Sequence, residues 1–396
     1  MYFYHEWYKQ LNLLVSIYDV YRAAECIRGP MMRDGFRQYV EDYVRHVRGY
    51  VREQAGRIDS PYSGYASFPR GPIPAFRGAM MIDSGGFSFG DRKKLARLLE
   101  IYRDILRRNP EDGFGASVVD FAETMLKVAD TEEGHWDEQT VTSLAKRAQK
   151  INLSHQLAIR GDFVVTLDRV IDDYSYPLER KRRRAFFSLQ CAKAALAEKA
   201  RLGENFPATL LAVIHPIGPG PEELKTLGYA QAYRVYRREL DYYVSELAAT
   251  ERKLRVQFDG FGIGSLVPLQ DYDVIRLVVT AIKHTLRAHG MEGRFLHAFG
   301  ATNRKAEYLF EFGFDSFDTT YHMVRARNRY LYDREQNTYV SSRELRSWNC
   351  NCLICSRHSL DELRENRRGV KEVATVLHGL HNLYTNHLEQ IGRLGL

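Results

Sequence analysis

The stretch Phe163-Val-Val-Thr-Leu-Asp168 is a short apolar run that ends in a carboxylate, and similar runs recur along the chain. Thr209-Leu-Leu-Ala-Val-Ile-His215 ends in a histidine, and Ala79-Met-Met-Ile-Asp83 ends in another aspartate. A run of this length bounded by polar or turn residues predicts a strand buried on both faces. Longer segments such as 178–202 and 221–250 separate the runs and have the composition of helices. Residues 34–56 are also helical in pattern, and residues 59–78, with four prolines, predict a loop.

The alternation of buried strand and helix predicts the fold class. It repeats about seven times over roughly 320 residues, and strands buried on both faces are typical of a parallel sheet. We therefore predict an α/β protein built as a (β/α)8 TIM barrel, with a doubly wound open sheet as the alternative.

Polar or small residues stand at the carboxyl ends of the predicted strands. In a barrel these ends form the face that carries the chemistry. Several carboxylates at one face are costly unless they bind cations, share protons or act as acids and bases. For any single aspartate a helix cap or loop anchor is an equal alternative, but the set predicts a functional site. Its members are Asp19, Asp83, Asp168, His215, Gly264, His297 and Asp318.

Three of the five cysteines lie in one short stretch, Cys350-Asn-Cys352-Leu-Ile-Cys355. Zn²⁺ in structural sites prefers four thiolate and imidazole ligands, so the spacing predicts a structural zinc site. Free or disulfide-bonded cysteines are the alternative. His381 is the favoured fourth ligand, with other histidines close by in the sequence: His358, His378 and His387.

These features suggest two domains. We predict a catalytic barrel over residues 1–340, with additional elements at the N-terminus and over 91–130. A C-terminal zinc-binding subdomain with its helix, over 341–396, would pack on the barrel.

Composition narrows the class further. The hydrophobic fraction of 44% and charged fraction of 27% are typical of globular proteins. No apolar run reaches the roughly 18 residues of a membrane span, and the N-terminus lacks a signal-peptide pattern. Clustered cysteines suggest a reducing compartment, so we expect a cytoplasmic protein.

The net charge is +7, and the basic residues are bunched. Such blocks suit a phosphate backbone, although solvated helix faces are the alternative for any one of them. Together with 25 tyrosines and 20 phenylalanines they favour a nucleic-acid partner. The candidate contacts are Arg182, Arg183, Arg184, Arg325, Arg327 and Arg329.

Several motifs resemble those of the tRNA-guanine transglycosylase superfamily and follow one another in the same order. They are Asp83-Ser84-Gly85-Gly86-Phe87, Leu167-Asp168, Phe258 to Leu266, Gly313 to Asp318, and the cysteine stretch followed by His381-Asn-Leu. The resemblance spans roughly residues 79–395. It implies an enzyme, a pentosyltransferase that exchanges guanine in a polynucleotide for a 7-deazaguanine base.

The resemblance also implies roles for individual residues. Asp318 would be the nucleophile that attacks the sugar, and Asp83 the general acid and base. Asp168 would accept hydrogen bonds from the purine, and Phe87 would stack on it. The other residues expected at the base are Ser84, Gly85, Gly86, His215, Gly264, Ser265, Leu266 and His297.

The chain departs from the family pattern at several positions. His215 stands where a glutamine is usual, Ser265 replaces a glycine and Phe87 a tyrosine. These departures resemble the DNA-modifying branch of DpdA type, so DNA is favoured over tRNA as the substrate. The alternatives are the same exchange on tRNA, a non-catalytic nucleic-acid-binding partner subunit, and a barrel enzyme acting on a small molecule. A homodimer or partner proteins would be compatible with each.

Overall fold

The computed structural model divides the chain into two compact units. Residues 54–67 and 79–299 form what we call the sheet unit, and residues 1–53, 68–78 and 300–396 form the terminal unit. The predicted domain boundary at residue 340 is a different division and stays a prediction. The structure describes residues 2–3, 12–14, 80–84, 90–111, 113–158, 163–301, 305, 308–309, 311–318, 325, 328–333, 335–336, 338–345, 350, 355, 359–364, 375 and 378–379.

Strands and helices alternate through most of the sheet unit. Among the described residues of the two units, the strands are β1 (Tyr2–Phe3), β2 (Asn12–Leu14), β3 (Met80–Ile82), β4 (Phe163–Val165), β5 (Thr209–Ile214), β6 (Gly260–Ile263), β7 (Phe295–Ala298), β8 (Ser316–Asp318), β9 (Tyr330–Asp333) and β10 (Thr338–Ser341). The helices described are α1 (Arg92–Arg108), α2 (Gly113–Glu133), α3 (Glu138–Ala158), α4 (Leu178–Leu202), α5 (Pro221–Leu227), α6 (Tyr229–Leu254), α7 (Tyr272–Ala288) and α8 (Leu360–Arg364), with a 3₁₀ turn at Gly203–Asn205.

The sheet unit contains a parallel sheet in the order β3-β4-β5-β6-β7. The register pairs Val164 with Leu210 and Ile214 with Ile263. β5 is buried at every position after Thr209, and β6 throughout, as expected for strands covered on both faces. The α/β class with a parallel sheet is therefore confirmed.

The element boundaries follow the sequence closely, with one difference. α4 spans the predicted 178–202, whereas the helix predicted over 221–250 is divided into α5 and α6. Gly228 separates them with φ 73°, a left-handed conformation that interrupts a helix and that glycine adopts without steric cost. The segments predicted over 34–56 and 59–78 lie outside the described residues.

Helices α1 to α4 pack in series, each on the next. Apolar side chains from all four meet in one cluster with Leu167, the second residue after β4. The members from the helices include Leu95, Phe121, Met125, Val141, Phe187 and Cys191. The expected additional helix of the 91–130 region thus corresponds to α1 and α2, which form one wall of this cluster.

A buried carboxylate, Glu132 near the end of α2, is bonded to three arginines. Its oxygens accept from Arg169 at 2.6 Å, Arg184 at 2.7 Å and Arg180 at 3.1 Å. Burial alone would raise the pKa of Glu132, but the charges and hydrogen bonds of Arg169 and Arg184 outweigh it, and the pKa is lowered. The carboxylate therefore ties α2, α4 and the segment after β4 together in its ionised form.

Two glutamines of α3 hold the end of β4. Gln156 Nε2 donates to the carbonyl of Val165 at 2.9 Å, and Gln149 Oε1 accepts from the Leu167 amide at 2.7 Å. These side-chain bonds satisfy a backbone carbonyl and a backbone amide where β4 ends, so the chain enters the following loop on a defined path.

In the terminal unit, β2 pairs in parallel with β8, with Leu14 opposite Asp318. β9 and β10 form an antiparallel hairpin in which the rings of Tyr332 and Tyr339 meet edge to face at 5.2 Å. Arg364 of α8 donates to the carbonyls of Ser342 and Leu345, which fixes this short helix to the segment after the hairpin.

Of the helices that the structure describes, none has the length and apolar character needed to cross a bilayer.

The Glu132 contacts predict a large effect of a small substitution. Glu132→Gln keeps the shape but leaves Arg169 and Arg184 buried without their counter-charge, which should cost about 3–5 kcal/mol in the free energy of unfolding. Glu133→Gln is the matched control, because Glu133 is 59% exposed in its pair with Arg92 and should change stability by no more than about 1 kcal/mol. Urea unfolding of both variants checks this, and equal small losses would contradict it.

The Glu132→Gln substitution also predicts how the free energy of unfolding depends on pH. Since the folded chain lowers the pKa of Glu132, the stabilisation is complete above the ordinary value of 4.5 and is lost as pH falls through the folded value. The wild-type chain and Glu132→Gln should therefore differ most in unfolding free energy at neutral pH and converge below about pH 4.5.

Candidate purine-binding edge and metal-ligand cluster

Five strands of the sheet unit bring their carboxyl ends to one edge, because neighbours in the sheet are parallel. Residues predicted from the sequence follow each strand or close it. Asp83 and Ser84 follow β3, Asp168 lies after β4, and His215 follows β5 directly. Gly264, Ser265 and Leu266 follow β6, and His297 lies in β7. Five members of the predicted set therefore lie along this edge: Asp83, Asp168, His215, Gly264 and His297. Asp318 belongs to the terminal unit, and Asp19 lies outside the described residues.

Four of these side chains form a row across four loops, one after each of the strands β3 to β6. Ser84 Oγ donates to Asp168 Oδ1 at 2.8 Å, and Asp168 Oδ2 lies 3.1 Å from Nε2 of His215. The other ring nitrogen of His215, Nδ1, is 2.8 Å from Ser265 Oγ. Asp168 and His215 are both buried, so the row presents a carboxylate beside an imidazole with little water between them.

Neighbouring groups fix the path of the loops that carry this row. Arg169 donates its amide to Ser188 Oγ at 2.9 Å, and Ile171 donates its amide to Ser265 Oγ at 2.8 Å. The loops after β4 and β6 are therefore joined directly. Because backbone groups on both sides of Asp168 are bonded, the carboxylate has little freedom to move out of the row.

Two glycines of the β6 segment allow close approaches that a larger residue would block. A Cβ on Gly264 would lie 2.6 Å from Cε1 of His215, and one on Gly262 would lie 2.4 Å from the ring of Phe299. Phe299 in turn meets the ring of His297 edge to face at 4.4 Å. His297 and Leu266 are fully buried, so they help to determine the shape of this edge.

The two aspartates expected to react lie in different units. Asp83 is half-buried and 3.4 Å from Ser84 Oγ, in the sheet unit. Asp318 ends β8 of the terminal unit, and its Oδ1 accepts from the Gly300 amide at 2.8 Å. That charge-assisted bond orients the Asp318 carboxylate. Three other candidates lie outside the described residues: Gly85, Gly86 and Phe87.

The structure corrects the predicted role of one member of the first arginine block. Arg184 is buried and bonded to Glu132, Asp172 and the Val170 carbonyl, so it is not available to a polymer. Arg182 forms a two-bond pair with Glu239 but remains 44% exposed. Arg183 lies over the ring of Trp136 at 5.4 Å. A nucleic-acid contact by Arg182 and Arg183 therefore stays a prediction.

The second block is placed differently. Arg329 is exposed, and Arg325 lies over the ring of Tyr330 at 4.9 Å. Arg327 lies outside the described residues. The interpretation of this block as a phosphate contact is unaffected by the pairs that account for the first one.

A metal-ligand cluster lies in the terminal unit. The ligand atoms of Cys350, Cys355 and His378 lie within 4.8 Å of one another. His378 is fully buried, its Nδ1 is 3.3 Å from Cys355 Sγ, and its Nε2 is 2.8 Å from the Tyr332 carbonyl. A carbonyl can only accept, so Nε2 carries the proton and Nδ1 presents its lone pair toward the thiol. Cys352 and His381 lie outside the described residues.

Sequence reasoning missed two residues that position this edge. Tyr174 is buried, and its hydroxyl donates to the carbonyls of Pro216 and Ser265, joining the loops after β5 and β6. Burial raises its pKa well above the ordinary value, so it stays a donor. Glu132 was also missed. Neither has a sequence signal, since each lies in an unremarkable polar stretch and acquires its role from partners far away in the chain.

Comparison with known proteins identifies the family. Residues 145–390 match the family described as queuine tRNA-ribosyltransferase. Since this match covers more than half of the chain, the protein belongs to that family, whose name denotes transfer at a pentose. The match includes Asp168, His215 and Asp318 and begins after Asp83.

Curated relatives carry one shared name, tRNA-guanine(15) transglycosylase. That of Aeropyrum pernix is 34% identical over 126 residues, 31% of this chain and 23% of the relative. That of Thermococcus onnurineus is 35% identical over 138 residues, 34% of this chain and 22% of the relative. That of Methanopyrus kandleri is 33% identical over 133 residues, 31% of this chain and 26% of the relative. The matched part of this chain thus spans about a quarter of each of these relatives.

Proposed function

We propose that this protein is a guanine transglycosylase that exchanges a guanine base in tRNA for a 7-deazaguanine derivative. The observation that carries the proposal is the buried Asp168 carboxylate, held by Ser84 and placed beside His215 at the carboxyl edge of the sheet. A carboxylate in this position accepts from the N–H groups that guanine presents at one edge. Family membership supports the reaction class.

The fold proposal is that the parallel strands belong to a (β/α)8 barrel. The strand–helix alternation and the family membership support it. In such a barrel the active site is built from the loops at the carboxyl ends of the strands, the position of every candidate residue described above. We also keep the zinc-binding subdomain over 341–396 as part of the proposal.

The proposed reaction uses two carboxylates in turn. Asp318 attacks the anomeric carbon of the nucleotide, and the bond from that carbon to guanine breaks with its electron pair going to the base. Asp83 gives the departing base a proton. Asp83 then takes a proton from the incoming base, whose nitrogen attacks the same carbon and releases the Asp318 carboxylate. The bond from the Gly300 amide supports a fixed orientation of the Asp318 side chain.

The remaining candidates would surround the base. Asp168 accepts from the purine N–H groups, Phe87 stacks on one face and His297 limits the other. Exchange also requires that the target nucleotide leave its stack to enter the pocket. The backbone and small side chains lining the base would come from Ser84, Gly85, Gly86, His215, Gly264, Ser265 and Leu266.

The polymer substrate is proposed from the relatives. The sequence favoured DNA, but the names of the curated relatives support the alternative, tRNA, better. Phosphate contacts are assigned to Arg182, Arg183, Arg325, Arg327 and Arg329, whereas Arg184 is buried within the fold. A non-catalytic partner subunit is disfavoured, because such a subunit has no need for both Asp83 and Asp318.

The C-terminal cluster is proposed to bind one structural Zn²⁺. Its donor set fits: two sulfurs and an imidazole nitrogen whose tautomer leaves Nδ1 available, with Cys352 between the two described cysteines. A zinc bound there would hold the cysteine turn to the C-terminal segment. The spacing of the sequence favours His381 as the fourth ligand, whereas the described contacts favour His378.

Incorporation of labelled guanine tests the proposed substrate. The protein should transfer label into bulk tRNA and leave duplex DNA unlabelled, because only the correct polymer can present its guanine to the pocket. Heat-inactivated protein is the control. Label in DNA alone would restore the DNA substrate, and label in neither polymer would contradict base exchange.

Trapping on a denaturing gel separates the roles of the two carboxylates. Asp318→Asn should give no covalent protein–nucleic-acid adduct, because the amide is not a nucleophile. Asp83→Asn should lose exchange by roughly 10²–10⁴-fold yet still bind tRNA, since affinity rests mainly on phosphate contacts. An adduct with Asp318→Asn would show that the nucleophile is assigned incorrectly.

Metal analysis tests the zinc site. Wild-type protein should contain about one zinc per chain, and Cys355→Ser should lose the metal and unfold at lower temperature, because structural zinc contributes folding energy directly. Cys191→Ala is the control, since Cys191 is buried in the sheet unit and should keep the metal. The described contacts predict a greater zinc loss for His378→Ala than for His381→Ala; the reverse order would assign the fourth position to His381.

A further inference from the structure

The imidazole of His215 is fully buried and has a different neighbour at each nitrogen. Nδ1 is hydrogen-bonded to Ser265 Oγ at 2.8 Å. Nε2 lies 3.1 Å from Asp168 Oδ2, but not in the alignment of a hydrogen bond, so within the described part of the chain Nε2 makes none. A buried ring nitrogen without such a bond, beside a carboxylate, is a group prepared for a ligand.

The Ser265 hydroxyl determines which nitrogen carries the proton. Its oxygen accepts the amide hydrogen of Ile171 at 2.8 Å. Its own hydrogen has one acceptor among the described residues, Nδ1 of His215. A hydroxyl that donates to Nδ1 requires Nδ1 to be bare, so the proton of the neutral ring is on Nε2. The ring therefore directs an N–H group, rather than a lone pair, past the Asp168 carboxylate.

The backbone at Ser265 supports a specific purpose for its side chain. Ser265 has φ 58°, a left-handed conformation that glycine adopts more readily than serine. The two hydrogen bonds of the hydroxyl offset that strain. Gly264, directly before it, has no Cβ, which is what allows the His215 ring to lie against this backbone. The geometry thus fixes the ring by contact and its tautomer by a hydrogen bond.

The family resemblance places at His215 the side chain that contacts the purine carbonyl, and we propose that Ser265 is the positioning residue that sets the Nε2–H tautomer with which His215 donates to that carbonyl. This rests on the proposed function. The edge of a 6-oxopurine presents a carbonyl acceptor next to an N–H donor, and His215 and Asp168 present the complementary donor and acceptor side by side. Adenine presents the opposite order, a donor at position 6 and an acceptor at N1. Its donor would face the N–H group of His215, and its acceptor would face the Asp168 carboxylate.

Binding of two free bases tests the assignment. 6-Thioguanine keeps the N1–H and 2-amino donors of guanine but has sulfur, a weak acceptor, in place of the 6-oxygen, so wild-type protein should bind guanine more tightly by about 10-fold, as expected when a buried donor loses most of its hydrogen bond. His215→Ala should lose this preference. His215→Gln should retain most of it, because the amide also offers an N–H donor. Unchanged discrimination in His215→Ala would overturn the proposal.

A double-mutant cycle tests Ser265. Ser265→Ala should weaken guanine binding when His215 is present but have little effect in the His215→Gln background, where there is no tautomer to set. The lost bond to the Ile171 amide is common to both backgrounds and cancels. Equal effects in the two backgrounds would mean that Ser265 is only structural and would overturn its positioning role.

The ¹⁵N chemical shifts of the wild-type His215 ring give a readout that needs no variant to bind base. The resonances are assigned by their loss in His215→Gln. They should show the Nε2–H tautomer, and an Nδ1–H tautomer would contradict the proposal. If wild-type protein transfers labelled guanine but fails these tests, only the His215–Ser265 assignment falls. If it neither binds guanine nor transfers label, the proposed function falls with it.

Discussion

The ion pairs of the ionised Glu132 carboxylate are the interaction on which the candidate purine-binding edge depends. The carboxylate is almost fully buried and satisfies Arg169, Arg180 and Arg184 at once. Arg169 is the residue directly after Asp168, so the carboxylate that would read the base is held by an ion-pair network on its outer side. Removing one partner from a buried ion-pair network destabilises a protein far more than losing a surface pair. A substitution of one member of this network alone is therefore expected to be strongly destabilising.

Inside that network the loops after β4, β5 and β6 are joined by polar side chains instead of sheet bonds. Tyr174 joins the second and third of them, Ser265 joins the first to the third, and Asp168 bridges Ser84 toward His215. Every group in this set is buried, so each bond is formed in surroundings where an unpaired polar atom is costly. A preorganised edge of this kind can bind a flat polar base without first rearranging.

Much of the fold could be predicted from the sequence. Apolar runs that end in Asp83, Asp168 and His215 gave strands close to the observed ones, because strands buried on both faces leave a continuous apolar signal. The break at Gly228 was missed, since one glycine in a polar helical pattern is a weak signal. The roles of residues outside the described ranges, such as Phe87 and Asp19, stay predictions.

The partners of charged residues could not be predicted in the same way. The run Arg182–Arg184 was interpreted as a surface patch, yet its carboxylate partners Glu132 and Glu239 are about fifty positions away on either side. Spacing along one helix shows which face a side chain occupies, but not what lies opposite. The histidine of the metal cluster presents the same difficulty: spacing favoured His381, whereas three-dimensional contacts place His378 beside Cys355.

A crystal structure of the protein with bound guanine would test the central claim most directly. The base should lie at the carboxyl edge of β3 to β7, with N1 and the amino group within hydrogen-bonding distance of Asp168 and the 6-oxygen facing Nε2 of His215. Guanine bound with its 6-oxygen toward Asp168, or bound away from this edge, would contradict the account.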